Sequence, residues 1–383
     1  MHRRHFLSYA PKFAATAALP AIISSAWAQD GVSAKSITIG CSGALTGPLG
    51  GFGKDLEIGV KAAMASINAK GGIHARQLQF LIQDDAYVPA RSAENITKMI
   101  ANNSVFALLS CIGTPNNAAI LPLIENGDMP YVGPLTGASS LRKPGMRNVF
   151  HVRASYTDET QRLVSKLVNM EIKQIAIVYL DNAFGKEVLA DAQKALGASN
   201  IKAVVQVALA SDGKNLAEVV AQVMTAKPSA VLLGTAGAAS TGLIAALKKA
   251  SPGLPIAGLS VTLTSAGLKQ LGDSAQGVAL TTVFPNANSA KFAVVRNYQS
   301  AMRAAGQTEF TGGGLEAYIN TMVLAEGLER AGRDVTRPKL RSALAGLRNF
   351  DVGGFNIDYQ AAPYVGSKFV ELGVLGQGGR MIS

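Results

Sequence analysis

Cysteine, histidine and tryptophan are scarce in this chain, at two, four and one of 383 residues, and only 16% of its residues are charged. Each shortage excludes something. Two cysteines cannot build a disulfide-dense scaffold, and without histidine support they make no zinc site. Cys41 and Cys111 each stand near the end of a strand-like run, so they are expected either to pair or to remain two buried thiols. His2 and His5 sit at the extreme N-terminus, which leaves His74 after a Gly-Gly turn and His151 in a strand-like run. A hydrolase needs a nucleophile, a base and an orienting partner, and no Gly-x-Ser-x-Gly elbow is present to supply the first. Asp84 and Asp85 are sequence neighbours, so on a strand their side chains point to opposite faces. No catalytic residue, metal ligand or cofactor is therefore expected.

Long apolar runs are also missing beyond the N-terminus, and no membrane span is expected there. At the N-terminus itself, Arg3 and Arg4 precede an apolar segment at 13–27 that ends in the small-x-small sequence Ala26-Trp27-Ala28. This is the pattern of an export signal cleaved after Ala28, which places the mature chain in the periplasm. The order Arg3-Arg4-His5-Phe6-Leu7 resembles a twin-arginine signal, with ordinary unfolded export as the alternative. No cysteine stands at the junction to carry a lipid anchor. Cleavage would remove Arg3, Arg4 and Lys12 and lower the net charge from +11 by three, to about +8. Such an excess either favours anions at long range or is a solvated surface.

What the chain does contain is glycine, 40 residues, and apolar residues, 48%. Its length suits two domains. Strands are predicted at 36–41, 77–83, 105–109, 130–134 and 149–153, with helices between them at 56–69, at 90–101 and after 117. A polar turn at 153–159 then restarts the pattern. Further strands are predicted at 174–179, 202–209, 230–234, 255–259 and 277–284, and helices at 159–170, 185–196, 215–226, 239–250 and 265–271. Helical stretches at 289–305 and 315–331 and strand-like runs at 354–358 and 369–375 complete the chain. Alternation of this kind predicts an α/β protein of two lobes, each a parallel sheet covered by helices. The first lobe is expected from 29–154 and 287–350, the second from 155–286 and 351–383, with three crossings forming a hinge.

The stretch 105–127 is the most informative. A run buried on both faces leads into a turn on Gly113, Thr114 and Pro115, and a helix begins near Asn116. The first N–H groups of a helix lack intrahelical partners, and the helix dipole adds partial positive charge, so a carboxylate could dock there without Arg or Lys. The alternative is that Thr114 or Asn116 only caps the helix. The glycine-rich loop 42–53 lacks the order of a phosphate-binding loop, so nucleotide binding is not expected. Phe52 in that loop is either a lid or stacking group, or a loop anchor. Ligands of such sheets bind beyond the strands' carboxyl ends, where Phe52, Thr114 and Thr136 all fall.

Several long motifs carry a resemblance. GALTGPLGGFGKDLEIGVKAAMASINAKGGI, GTPNNAAILPLIENGDMPYVGPLTGASSLR, VRASYTDET, DNAFGKE, LEAYINTMVLAEGLERAG and FDVGGFNIDY occur in this order across essentially the whole mature chain. In these motifs the chain resembles the leucine/isoleucine/valine-type periplasmic binding proteins, type I two-lobed solute receptors of ATP-driven importers. The resemblance implies that lobe one holds a ligand carboxylate on two loops. These are Gly113, Thr114, Pro115 and Asn116 in one, and Leu135, Thr136, Gly137 and Ala138 in the other. It implies aromatic walls from Phe52 and from Phe184 of lobe two. It also implies an inner-membrane permease as partner and a monomeric receptor. The same fold in gene repressors carries an N-terminal DNA-reading helix pair, whereas this chain begins with an export signal, so no nucleic acid is expected.

Two departures stand out. Amino-acid receptors of this type supply an acid of lobe two to the ligand's ammonium, and Ser260 is the expected occupant of that place here. A hydroxyl cannot neutralise an ammonium as a carboxylate does. The loop at 234–240 also lacks a bulky aromatic, which would leave room for a larger ligand. The expectation is an aromatic or other bulky acid. If Asp158, Asp181 or Tyr156 compensates, a branched-chain or other amino acid is expected instead. A receptor that reports its ligand to a membrane sensor or chemoreceptor is the alternative to import, because both roles use lobe closure.

Overall fold

The structure, a computed structural model, describes residues 31–382; the expected signal and its cleavage site lie outside the described residues. The chain first alternates β1 (Ser36–Gly43), α1 (Gly50–Asn68), β2 (Gln77–Asp84), α2 (Pro89–Ala101), β3 (Ala107–Leu109), α3 (Thr114–Glu125), β4 (Tyr131–Val132) and β5 (Val149–His151). It then crosses to α4 (Tyr156–Asn169), β6 (Ile175–Leu180), α5 (Ala183–Gly197), β7 (Val205–Leu209), α6 (Leu216–Thr225), β8 (Ala230–Gly234), α7 (Gly237–Ala250), β9 (Ile256–Gly258), α8 (Ser265–Leu271) and β10 (Val278–Thr282). Helices α9 (Ala293–Ala304), α10 (Gly312–Ala331) and α11 (Arg337–Ala345) follow, and then the short pair β11 (Phe350–Asp351) and β12 (Asn356–Ile357). The chain closes with β13 (Tyr364–Val365), β14 (Glu371–Leu375) and β15 (Met381–Ile382).

Two sheets result, in the orders β13-β5-β4-β3-β1-β2 and β15-β14-β10-β9-β8-β6-β7. The first is parallel throughout, and the second is parallel except at β14 and β15. The continuous apolar runs of β3 and β8 are buried at every residue, as strands covered by helices on both faces require.

Two elements differ from expectation. Helix α1 starts at Gly50, six residues before the predicted start, so Phe52 lies on its first turn and not in a loop. Glycine propensity argues against a helix through Gly-Gly-Phe-Gly, but close packing overrides it. A Cβ at Gly53 would stand 2.0 Å from the Ala44 carbonyl oxygen, and one at Gly51 would stand 2.9 Å from Thr264 Cβ.

The second difference is at the C-terminus. Strand β13 pairs in parallel with β5, so the chain stays with the first sheet through Val365 and crosses last before β14, well beyond the expected 350. Aromatic packing accounts for this. Tyr364 stacks on Phe150 with centroids 4.8 Å apart, and Tyr359 meets the same ring edge-on at 5.5 Å. The added strand also covers the edge that β5 would otherwise expose. The three crossings therefore lie after β5, after β10 and after β13.

Cys41 and Cys111 are both free and buried. Strands β1 and β3 are neighbours, which brings the two thiols together. Burial, and then the hydrogen bond with Cys111, pushes the Cys41 thiol well above its ordinary value.

Candidate functional site

The carboxyl ends of both sheets face one cleft, with a cavity of about 20 Å³. Lobe one lines it with Leu49 and Phe52 near the start of α1, Tyr87 after β2, Ile112, Gly113 and Thr114 after β3, and Leu135 after β4. Tyr156, Phe184, Ala236 and Val261 line it from α4 and lobe two. Among the described residues none of this lining is charged. The lobes are closed on one another: Ser140 Oγ donates to Glu187 Oε2 at 2.6 Å, and Ser265 Oγ to Asp55 Oδ1 at 2.9 Å.

The polar end of the cavity is built by two loops. Gly113 has φ +90° and stands at the N-cap position of α3, a backbone conformation that suits glycine. Pro115 has no N–H, so the first turn presents the unpaired N–H groups of Thr114 and Asn116, with the helix dipole behind them. Thr114 Oγ1 lies 2.8 Å from Thr136 Oγ1, which also accepts from the Ala138 N–H at 3.2 Å. The Gly137 carbonyl accepts from the Tyr156 N–H at 2.7 Å, and a Cβ at Gly137 would stand 2.7 Å from that ring. The Asn116 side chain is buried and donates to Ser92 Oγ at 2.7 Å. The arrangement can hold one small anion on hydroxyls and backbone donors.

The other walls are apolar. Phe52 and Phe184 are buried, and Tyr156 meets Phe184 edge-on with centroids 5.1 Å apart. The small loop at Ala236 and Gly237 does not widen the cavity, contrary to expectation. Lobe one fills that space: a Cβ at Gly237 would lie 2.4 Å from the Pro48 carbonyl oxygen and 2.6 Å from Leu49 Cδ2.

Three expected contacts fall elsewhere. Asp158 is the N3 residue of a capping box on α4, with Oδ2 accepting from the Ser155 N–H at 3.0 Å and from Ser155 Oγ at 2.6 Å. Asp181 is 59% exposed and paired with Lys186 at 2.9 Å. Ser260 joins a buried ionic cluster: its N–H donates to Glu159 Oε2 at 2.8 Å, and its hydroxyl meets both Glu159 and Arg153. Arg153 reaches Glu159 at 3.2 Å and Glu316 of α10 at 3.3 Å. Burial opposes the Arg153 charge, yet Glu316, Tyr156 and Glu159 hold its pKa above the ordinary value. No expected acid therefore reaches the cavity, and Tyr156 is the one of the three possible compensating groups that lines it.

Sequence reasoning missed Tyr87, Leu49, Ile112, Ala236 and Val261. For Asp158 a signal existed, since Ser155-x-x-Asp158 is the capping-box spacing. Nothing in the letters around Tyr87 shows where its ring points.

The chain matches the family model described as periplasmic binding protein over residues 36–363. It is 29% identical to a Leu/Ile/Val-binding protein of Rhizobium johnstonii over 303 residues, 77% of this chain and 80% of that protein. Among solved structures it is similar to an extracellular ligand-binding receptor from Verminephrobacter eiseniae, at 29% identity and TM-score 0.84, covering 91% of this chain and 100% of that one. A substrate-binding periplasmic protein from Ralstonia solanacearum gives 28% identity and TM-score 0.84, covering 91% and 99%. With its two sheets, three crossings and interlobe cleft, the chain belongs to the periplasmic binding protein family.

Proposed function

We propose that this protein is the receptor of an ABC importer that captures one compact, apolar monocarboxylate, aromatic or branched aliphatic, by closing its lobes on it. The carrying observation is the asymmetry of the cavity: hydroxyl and backbone donors at the Thr114–Thr136 end, rings and aliphatic side chains elsewhere, and no charged side chain in the described lining. An anion is stabilised at the first end, and an apolar body at the second. An ammonium would be buried without a partner, which is costly. The closed cleft leaves a cavity of only about 20 Å³, so a ligand must part its walls, and a compact one parts them least. The closed form then presents a defined surface to an inner-membrane permease.

A second reading, a branched-chain amino acid, is favoured by the name of the Rhizobium relative. The experiment is the thermal midpoint of the refolded, ligand-stripped mature protein against a panel of aromatic acids, branched aliphatic acids and amino acids. A tight ligand raises the midpoint by several degrees. Stabilisation by acids lacking an amine supports the proposal, and stabilisation by leucine, isoleucine or valine alone replaces it with the second reading.

A further inference from the structure

We infer that Tyr87 is the specificity-determining residue of the cleft, its ring setting how far an apolar ligand body can extend and its phenol end meeting lobe two. The inference rests on the reading of the cavity as a ligand site. Tyr87 lines the cavity from the loop after β2 and stands between the anion end of lobe one and the α5 corner of lobe two.

Its backbone is unusual. Ala86 and Tyr87 are consecutive non-glycine residues in the left-handed region, at φ +49° and +64°. L-residues visit that region at a cost, and such strain persists only where the surroundings enforce it. Here two carboxylates enforce it. Asp84 Oδ1 accepts from the Ala86 N–H and Asp85 Oδ1 from the Tyr87 N–H, each at 2.9 Å. Asp85 is fully buried, and its second oxygen accepts from Ser42 at 2.9 Å and Ser92 at 2.6 Å. Ser92 also receives the Asn116 amide at 2.7 Å. The loop that aims Tyr87 and the first turn of α3 thus share one hydrogen-bonded frame.

The ring occupies what would otherwise be side-chain space at the anion end. A Cβ at Gly113 would lie 2.3 Å from Tyr87 Cε2. On the other side the phenol faces Asn182. The Asn182 Oδ1 caps α5 through the Gly185 N–H at 3.1 Å, next to the wall residue Phe184. The remaining rings are committed: Phe52 and Phe184 are buried, and Tyr156 is fixed by its bond to Gly137 and its contact with Phe184. Tyr87, only partly buried, is the ring that can be shortened while those walls stay in place.

The test is calorimetric titration of wild type, Tyr87→Phe, Tyr87→Leu and Tyr87→Ala with two pairs of probes, benzoate with 3-phenylpropanoate and valine with phenylalanine. Circular dichroism and the thermal midpoint establish that each variant folds, and Tyr87→Leu carries the test if Tyr87→Ala does not. Shortening the side chain should shift the large-to-small affinity ratio within the binding pair by about tenfold or more toward the larger member. Tyr87→Phe should keep the ranking and weaken both members equally by a few-fold. An unchanged ratio in the Leu and Ala variants overturns the inference while leaving the ligand class intact. Binding of the amino-acid pair alone overturns the proposed ligand class and still reads the role of Tyr87, whereas no binding of any probe by wild type overturns both.

Discussion

The hydroxyl oxygens of Thr114 and Thr136 lie 2.8 Å apart, one on the first residue of α3 and the other in the loop after β4. Their contact ties together the two loops that offer donors to an anion. Thr136→Val keeps the volume and removes the hydroxyl, so it should weaken ligand binding by about 10- to 100-fold, corresponding to about 1.5–3 kcal/mol for a hydrogen bond to a charged group. The thermal midpoint without ligand should also fall by a few degrees, because the buried Ala138 N–H and Thr114 hydroxyl lose their partner. Titration calorimetry and a melting curve check both, and unchanged affinity would remove the anion from this end of the cleft.

The Arg153 cluster holds three chain segments together: the crossing after β5, the loop after β9 through Ser260, and α10 through Glu316. Arg153→Met would leave Glu159, fully buried, without its cation. Breaking a buried pair from one side costs about 3–5 kcal/mol. A urea titration should show the midpoint fall with the slope unchanged, and a loss below about 1 kcal/mol would mean that the pair contributes little.

How much of this was legible before the fold was seen follows from where each signal resides. Buried strands such as β3 and β8 announce themselves as unbroken apolar runs, so the alternation, the two lobes and the loops of Thr114 and Thr136 could be read from sequence. The start of α1 could not, because its glycines pack closely on the preceding loop at Ala44 and on Thr264, more than 200 residues further along the chain. The placement of Asp158, Asp181 and Ser260 away from the cavity lining is not legible in sequence for a similar reason. A loop position shows that a polar side chain is near the cleft, but its choice between a ligand, a helix N-terminus and a buried arginine depends on geometry. The placement of Tyr87 is fixed by two carboxylates acting on backbone N–H groups two residues on; Asp84-Asp85 marks such a turn by residue type but not the direction of the ring that follows.

Closure should be linked to protons through Asp55. This carboxylate on α1 accepts from Ser265 of α8 across the seam. Burial raises it from 3.8 to about 6, Ser265 and Thr311 oppose the rise, and Glu309 adds to it. In an open cleft Asp55 is solvated and titrates near its ordinary value, so the closed form binds the proton more tightly. Closure is therefore favoured as pH falls through about 6, and the gain levels off near 4. Affinity should rise severalfold, at most about tenfold, between pH 8 and pH 5, and Asp55→Asn should flatten the dependence. Dissociation constants measured at four pH values decide this; an affinity that falls toward pH 5 contradicts it.

The two buried thiols should be inert in the folded protein. Burial raises the Cys41 thiol, and the thiolate is the reactive form. A colorimetric thiol reagent should label neither cysteine over minutes under native conditions and both after denaturation. Rapid native labelling, or no free thiol after denaturation, would contradict the buried, unpaired state.

The most direct test of the central claim compares leucine with 4-methylpentanoate, which has the same skeleton without the amine. Both carry a carboxylate for the Thr114–Thr136 end, and they differ only in an ammonium for which the described cavity lining supplies no charged partner. Calorimetric titration of the ligand-stripped protein should give the amine-free acid an affinity about 10- to 100-fold higher, since an unpaired polar or charged group resists burial. Tighter binding of leucine would contradict the account and make this cleft an amino-acid site.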